Sequence, residues 1–124
     1  MRQLISFFES RKKLTVCLGI LWTLIIFIGC SMPGRELPKI GLFENVDKVI
    51  HFLFFAVFFG IWYLIPSKSP KHAFLIIAIS ILYGFGLEYY QLYCVAGRSF
   101  DVWDGIADTA GALAGFGVMK WGRQ

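Results

Sequence analysis

The chain has 124 residues and a formal net charge of +4 at pH 7; 57% of its residues are hydrophobic and only 16% are charged. Soluble domains carry about 25% charged residues, and a chain of this size has too much surface to bury so much apolar material. A soluble fold is therefore excluded. Intrinsic disorder is excluded as well, because it requires few aromatic residues and 18% of this chain is aromatic. The length predicts one domain, residues 1–124.

Four apolar stretches follow one another along the chain. They cover residues 14–31, 49–65, 73–94 and 101–121. Helices of 17–22 residues extend over about 25–33 Å, close to the thickness of the hydrocarbon core of a bilayer. None of the stretches alternates with a period of two, so helices are favoured over strands of a barrel. We predict an all-α protein, a bundle of four transmembrane helices, and we interpret residues 4–8 ahead of it as a frayed tail rather than a short interfacial turn.

Basic residues near the helix ends indicate the orientation of the bundle, because they accumulate on the cytoplasmic side. Eight lie at the two termini and in the second loop: Arg2, Arg11, Lys12, Lys13, Lys68, Lys71, Lys120 and Arg123. Four lie in the first and third loops or beside them: Arg35, Lys39, Lys48 and Arg98. This bias predicts that both termini are cytoplasmic and that the first and third loops lie outside.

The cysteines leave two alternatives open at the outer face. Phe27–Cys30 resembles the end of a lipoprotein signal, although the cleavage box lacks its usual leucine and small residue, and an uncleaved first helix is preferred. Cys30 and Cys94 both lie near the predicted outer ends of their helices, so lipidation of Cys30 or a disulfide between the two remains open.

Ionisable and polar residues fall at the predicted outer ends of three helices that are far apart in the sequence. The set is Asp47, Lys48, His51, Glu88, Gln91, Arg98, Asp101, Asp104 and Asp108. Its formal charge is −3, although the whole chain is +4. Ionisable groups at membrane depth are costly and normally face a partner or water. We therefore predict a polar cluster at the extracytoplasmic end of the bundle, with these nine residues as ligand-binding candidates.

Helical spacing places several of these side chains on common faces. Asp47 and His51 are four residues apart, and Asp101, Asp104 and Asp108 follow one stripe of the fourth helix. Below them, the stripe continues as small residues at Ala107, Gly111 and Gly115. Small residues at this spacing let another helix approach closely. The stripe predicts contact with the bundle, and association of copies through Ala107-Gly111-Gly115 is a further prediction.

Structural roles compete with functional ones at most of these positions. Asp101 fits a helix cap, Asp47 and Lys48 fit an ordinary helix start, and His51 fits an interior histidine. Arg98 fits an ion pair with the acids, a role that would serve stability alone. Glu88 and Asp108 lie one or two turns inside apolar segments, away from a favourable helix end. Those two residues therefore point most directly to a pocket.

Three blocks of residues also resemble a known family. They read Asp47-Lys48-Val49-Ile50-His51-Phe52, then Glu88-Tyr89-Tyr90-Gln91, then Arg98-Ser99-Phe100-Asp101-Val102-Trp103-Asp104-Gly105-Ile106-Ala107-Asp108-Thr109-Ala110-Gly111. Together they are similar to the VanZ-like family of small bacterial integral membrane proteins, over about residues 44–118. The resemblance implies a multi-pass protein of the bacterial inner membrane and cell envelope. It also implies a link with low-level resistance to teicoplanin, a glycopeptide antibiotic. One departure is Asp108, where the resemblance implies asparagine.

Two hypotheses of function follow from the cluster and the resemblance. In the first, the cluster binds an amphipathic molecule at the outer leaflet, such as a glycopeptide or a lipid-linked cell-wall precursor, with Arg98 on a phosphate or carboxylate. In the second, the protein is a membrane-embedded enzyme acting on a lipid-linked phosphate or sugar. Its catalytic candidates are residues with acid–base or ligating side chains, namely His51, Glu88, Asp104 and Asp108.

The identity of a cofactor stays open, although the same four side chains could hold a divalent cation. Membrane lipids are the expected surroundings. Binding of nucleic acid is not expected, because topology and anionic headgroups already account for the basic residues. A transporter is not expected either, because four short spans without an evident repeat leave little room for alternating access.

Overall fold

The computed structural model describes residues 1–33, 45–65 and 71–124. Across these ranges the chain forms five helices and no strand. They are α1 (Arg2–Ser10), α2 (Lys12–Cys30), α3 (Val46–Tyr63), α4 (His72–Cys94) and α5 (Val102–Arg123). The prediction of an all-α protein is confirmed. Three of the basic residues counted for the orientation lie outside the described residues: Arg35, Lys39 and Lys68.

Three of the helices, α2, α3 and α4, are long and apolar enough to cross a membrane by length and composition. Helix α5 has 22 residues and is long enough, but it is less apolar than these three helices because Asp104 and Asp108 in its first two turns lower its hydropathy. Three of the four predicted spans are thus supported. Large apolar side chains on the outside of the bundle fit lipid surroundings: Phe74 and Leu82 of α4 are each 74% exposed.

The N-terminus is a helix, so the interpretation of residues 4–8 as a frayed tail is wrong. Ile5 of α1 is 7% exposed and packs in a core cluster with Phe59 of α3 and Met119 of α5. Arg123 also donates a hydrogen bond of 2.6 Å to Glu9. This amphipathic segment is ordered by tertiary contacts at the far end of α5, which the local sequence does not reveal.

Helices α3 and α5 run in the same direction, side by side. A Cβ atom added at Gly111 would overlap the backbone carbonyl of Phe52, and one added at Gly115 would lie 2.6 Å from the carbonyl oxygen of Ala56. The two backbones are therefore too close for any side chain at these glycines. The predicted contact of the small-residue stripe is made with α3 of the same chain, while association of copies through the stripe stays a prediction.

Helices α2 and α4 form a second parallel pair, opposed in direction to α3 and α5. The Tyr83 hydroxyl donates to the carbonyl of Thr23 (2.8 Å), and the Gln91 amide donates to the carbonyl of Cys30 (3.1 Å). Alternating up and down helices bring the end of α2, the start of α3, the end of α4 and the start of α5 to one end of the bundle. All the motif residues lie at that end.

Candidate functional site

The more exposed part of the site is an ammonium group among three carboxylates. Lys48 Nζ lies 2.9 Å from Asp101 Oδ2 and 3.1 Å from both Asp104 Oδ1 and Asp47 Oδ2. The side chains of Asp47 and Asp101 are 57% and 35% exposed, whereas that of Asp104 is 7% exposed. Lys48 thus ties the first turn of α3 to the first turn of α5 at the rim of the bundle.

Asp101 also begins helix α5, as its sequence position predicts. Its side chain accepts a hydrogen bond of 2.9 Å from the backbone N–H of Trp103. The hydrogen bond from Lys48 lowers the pKa of Asp101 below its ordinary value of 3.8, and the hydrogen bond from the Trp103 N–H lowers it further. Asp101 is therefore a structural cap and a member of the ion-pair cluster at the same time.

One turn deeper, His51 of α3 lies between two aspartates of α5. His51 Nδ1 is 2.9 Å from Asp108 Oδ1, and His51 Nε2 is 3.7 Å from Asp104 Oδ2. An ionised carboxylate only accepts hydrogen bonds, so Nδ1 is the donor to ionised Asp108. At 3.7 Å, Nε2 and Asp104 are beyond hydrogen-bond distance. The ring is therefore oriented on one side and left without a close contact to Asp104 on the other.

Asp108 fits beside α4 because residue 84 is glycine. A Cβ atom on Gly84 would lie 2.7 Å from Asp108 Oδ2. Asp108 is fully buried, at 0% exposure, and its Oδ2 atom has no hydrogen-bond partner among the described residues. The missing side chain at Gly84 thus makes the space in which this carboxylate lies.

Helix α4 supplies two further buried polar side chains, Glu88 and Gln91, both 0% exposed. Glu88 Oε2 accepts a hydrogen bond of 2.9 Å from the backbone N–H of Asp101. Neither Glu88 Oε1 nor Gln91 Oε1 has a partner within the described ranges. Buried acceptors without partners are uncommon in folded proteins.

Glu88, His51 and Asp104 converge on one small space. Each offers one ligand atom, and these atoms lie within 4.8 Å of one another. Asp47, Asp101 and Asp104 form a second such group, and the ammonium of Lys48 lies among them. The structure thus brings together seven of the nine ligand-binding candidates: the five members of these two groups, Lys48 among the carboxylates and Asp108 beside His51. Gln91, one turn after Glu88 in α4, donates instead to the carbonyl of Cys30.

Arg98 is the one basic candidate for which the described residues supply no ion pair. Its side chain is half-buried, and it makes no ion pair with the acids of the cluster, all of which are described. The structural role suggested for it in the sequence, a stabilising ion pair, is therefore not observed. Its guanidinium stays a candidate for an external anion.

The cysteines next to the site are free thiols. Cys30 at the end of α2 is buried, whereas Cys94 at the end of α4 is exposed. A disulfide between them is absent from the structure. Cys30 contributes instead to the core cluster of Ile26, Phe55, Phe58 and Leu87 that underlies the site.

A family model described as VanZ/LLP1 matches residues 5–123. The chain belongs to the VanZ/LLP1 family. Neither a curated protein nor a solved structure matches it. The match confirms the resemblance drawn from the three motif blocks, and it extends beyond residues 44–118 to nearly the whole chain.

The position at which this VanZ/LLP1 chain departs from the implied pattern is Asp108. Asparagine can both donate and accept, whereas ionised aspartate only accepts. The observed contact of Asp108 is with Nδ1 of His51, and it needs an acceptor at position 108. The departure is therefore compatible with orienting His51, the role that the geometry shows.

The sequence reasoning missed an apolar cavity of about 410 Å³ between α2, α3 and α4. It lies toward the end of the bundle opposite to the polar cluster, and its lining includes Phe58, Trp62, Ile76 and Tyr83. His72 also lines it, and the Nε2 atom of His72 is buried without a hydrogen-bond partner in the described part of the chain. Apolar residues at helical spacing give no separate signal for such a cavity, because they look the same as a packed core.

Proposed function

We propose that this VanZ/LLP1 protein is a multi-pass protein of the bacterial cytoplasmic membrane in which α5 is the fourth span. The support is its packing: α5 lies parallel to the apolar helix α3, in backbone contact at Gly111 and Gly115. At 1.5 Å per residue its 22 residues extend about 33 Å, as far as a bilayer core requires. With both termini cytoplasmic, the polar cluster faces the outer leaflet.

The proposed function is binding of the polar head group of an amphipathic or lipid-linked molecule from that leaflet. The observation that carries it is a set of buried oxygens that have no hydrogen-bond partner within residues 1–33, 45–65 and 71–124: Glu88 Oε1, Gln91 Oε1 and Asp108 Oδ2. A buried acceptor left unpaired costs about 1–3 kcal/mol. A ligand that supplies hydroxyl or ammonium donors would remove that cost.

A lipid-linked cell-wall precursor or a lipid-tailed glycopeptide of the teicoplanin type has this chemistry. Each combines sugar hydroxyls and amines with an apolar chain that can remain among the acyl tails. Arg98 is half-buried and makes no ion pair with the acids of the cluster. We propose that its guanidinium binds a phosphate or carboxylate of the same molecule. Binding of either molecule would alter susceptibility to glycopeptides.

The experiment compares a glycopeptide-sensitive host that expresses the wild-type chain with hosts that express Glu88→Gln or Glu9→Gln. We expect the wild type to raise the inhibitory concentration of teicoplanin. Glu88→Gln should abolish the effect, because it removes the carboxylate from the cluster while keeping the side-chain shape. Glu9→Gln removes a carboxylate at the opposite end of the bundle and should behave as the wild type. Unchanged susceptibility on wild-type expression, at membrane levels verified by immunoblot, would exclude this role.

A second candidate function is catalysis on a lipid-linked phosphate or sugar, and the pairing of His51 with Asp108 favours it. A histidine oriented through Nδ1 by a carboxylate presents Nε2 for proton transfer. Here Nε2 lies 3.7 Å from Asp104 Oδ2, and Glu88 is a member of the same group. Purified protein would be incubated with polyprenyl-phosphate and phospholipid substrates, with divalent metals supplied. Turnover that is lost in His51→Ala and retained in His72→Ala would establish catalysis, and no released product from any substrate would exclude it.

A further inference from the structure

We propose that His51 Nε2, Glu88 and Asp104 bind a divalent transition-metal ion, with Asp108 as the residue that orients His51. The inference deepens the proposed function, because it says what holds the ligand's polar group in the site. It rests on three independent features of the geometry.

The first feature is the orientation of the imidazole. Metal-bound histidines usually donate their other ring N–H to a carboxylate or carbonyl, which fixes the tautomer and leaves a lone pair for the metal. His51 has this arrangement, since Nδ1 lies 2.9 Å from buried Asp108 and Nε2 faces away from it toward Asp104.

The second feature is the gap between Nε2 and Asp104 Oδ2. At 3.7 Å the two atoms are too far apart for a hydrogen bond. One metal ion can nevertheless lie about 2.0–2.2 Å from both, with an angle of about 115–135° at the metal. That angle is compatible with a distorted tetrahedral site.

The third feature is Glu88, which is fully buried and has a carboxylate oxygen without a partner in the described structure. One of its oxygens lies within 4.8 Å of the ligand atoms of His51 and Asp104. A buried carboxylate needs a cation or a donor. In the part of the chain that the structure describes, Glu88 receives one hydrogen bond, from the backbone N–H of Asp101, so it has capacity for a metal ion.

The neighbouring group of Asp47, Asp101 and Asp104 satisfies the same distance condition but is a poorer site. Lys48 Nζ is within 3.1 Å of all three carboxylates, so that group already has its cation. No lysine or arginine forms an ion pair with Glu88 or Asp108 within the described residues. The metal is therefore assigned to the inner group.

One imidazole nitrogen and two carboxylates suit Zn²⁺ best among common ions, and Mn²⁺ next, because imidazole favours the later metals and carboxylate the harder ones. Three protein ligands leave a fourth position open, as in zinc sites that act on a bound molecule. An oxygen atom of the ligand's phosphate or sugar would occupy that position. The anionic or polar group would then be held by the metal despite the surrounding acids.

The test is titration of Zn²⁺ and Mn²⁺ into the full chain, purified in detergent without a histidine tag, with a competing chromophoric chelator as the indicator. We expect one Zn²⁺ per chain. His51→Ala and Glu88→Gln should weaken binding by a factor of at least about ten, and Asp108→Asn by about 10–100-fold, the range found when such an orienting partner is removed. The matched controls His72→Ala and Glu9→Gln should change the affinity less than about twofold, since neither residue lies in the cluster.

Asp47→Asn separates the two groups of acids. An affinity close to that of the wild type supports the inner group, whereas a loss as large as that of Glu88→Gln would overturn the assignment. Binding of no Zn²⁺ or Mn²⁺ by folded wild-type protein, or equal losses in the controls, would overturn the metal site itself. If metal binding fails while teicoplanin susceptibility still changes on expression, the metal inference is wrong and the proposed ligand-binding function stands.

Discussion

Asp101 illustrates how one residue serves both the helix and the cluster. Its carboxylate accepts from the N–H of Trp103 at the start of α5 and from Lys48 Nζ at 2.9 Å. An asparagine at position 101 could still accept the hydrogen bond from Trp103, but it would not carry the negative charge that pairs with Lys48. The two contributions can therefore be separated by two substitutions at one position.

We predict that Asp101→Asn lowers the free energy of unfolding by less than about 1 kcal/mol, because a partly exposed ion pair contributes little. Asp101→Ala should cost about 1 kcal/mol more, since it also removes the cap. The measurement is thermal unfolding of the purified protein in detergent, followed by circular dichroism, at neutral pH.

The difference in stability between the wild type and Asp101→Asn should also depend on pH. Because the pKa of Asp101 is lowered in the folded state, its charge stabilises the fold fully above its ordinary pKa of 3.8. That contribution is lost as the pH falls through the lower folded value. The difference between wild type and Asp101→Asn should therefore shrink below about pH 4, and a difference that stays constant down to pH 2 would contradict the prediction.

At the scale of the helices, the register of α3 against α5 decides where the site residues meet. Gly111 lies one turn below Asp108, and its backbone approaches the carbonyl of Phe52, the residue next to His51. A side chain at position 111 would separate the two helices at this level. The distance between His51 and Asp108 is thus set by a glycine that takes no part in the chemistry.

We predict that Gly111→Ala destabilises the protein by about 1–3 kcal/mol, the usual cost of overpacking. Gly117→Ala is the matched control in the same helix, because a Cβ atom there would meet nothing within 4 Å. It should leave the stability unchanged or raise it by up to about 1 kcal/mol, since alanine favours helix over glycine. Thermal unfolding of both variants in one detergent measures the difference, and equal effects would mean that the helices are not in close contact.

The short helix α1 depends on contacts with the other helices for its stability. Its nine residues are too few for a stable isolated helix, and the apolar side chain of Ile5 is buried in a core cluster with residues of α3, α4 and α5. The helix therefore depends on the completed bundle for its order.

At the scale of the whole molecule, alternating helix directions place the polar cluster at one end and α1 with the C-terminus at the other. If α5 crosses the membrane with α3, the exposed Cys94 and residue 124 lie on opposite sides of the bilayer. This arrangement follows from the proposed topology and can be tested without knowledge of the ligand.

We predict that a variant with Cys94 as its single cysteine reacts with a membrane-impermeant maleimide in intact spheroplasts. A variant with all three native cysteines replaced and Gln124→Cys introduced should react only after the membrane is disrupted. Mass spectrometry or gel shift of the purified chains reads out both reactions. Labelling of both variants from outside would show that α5 does not cross, and the reverse pattern would show that the orientation is inverted.

Composition and spacing were enough to predict the all-α fold, the approximate ranges of α2 to α5 and the identity of the polar residues. These properties follow from local composition and spacing, because an apolar helix long enough for the bilayer and a carboxylate inside it are both visible in one stretch of chain. Asp101 as a cap and the small-residue stripe as a packing face were predictable for the same reason.

The pairing of these residues could not be predicted from spacing and is seen in the packed bundle. The bundle pairs Lys48 with the carboxylates at its rim and Asp108 with His51, and it leaves Glu88 Oε1 without a partner in the described chain. Arg98 is not a member of these ion pairs. The bundle also orders α1 against the core. Each outcome depends on the register and separation of helices that are distant in the sequence, and those are set by packing contacts such as Gly111 against Phe52 and Gly84 against Asp108.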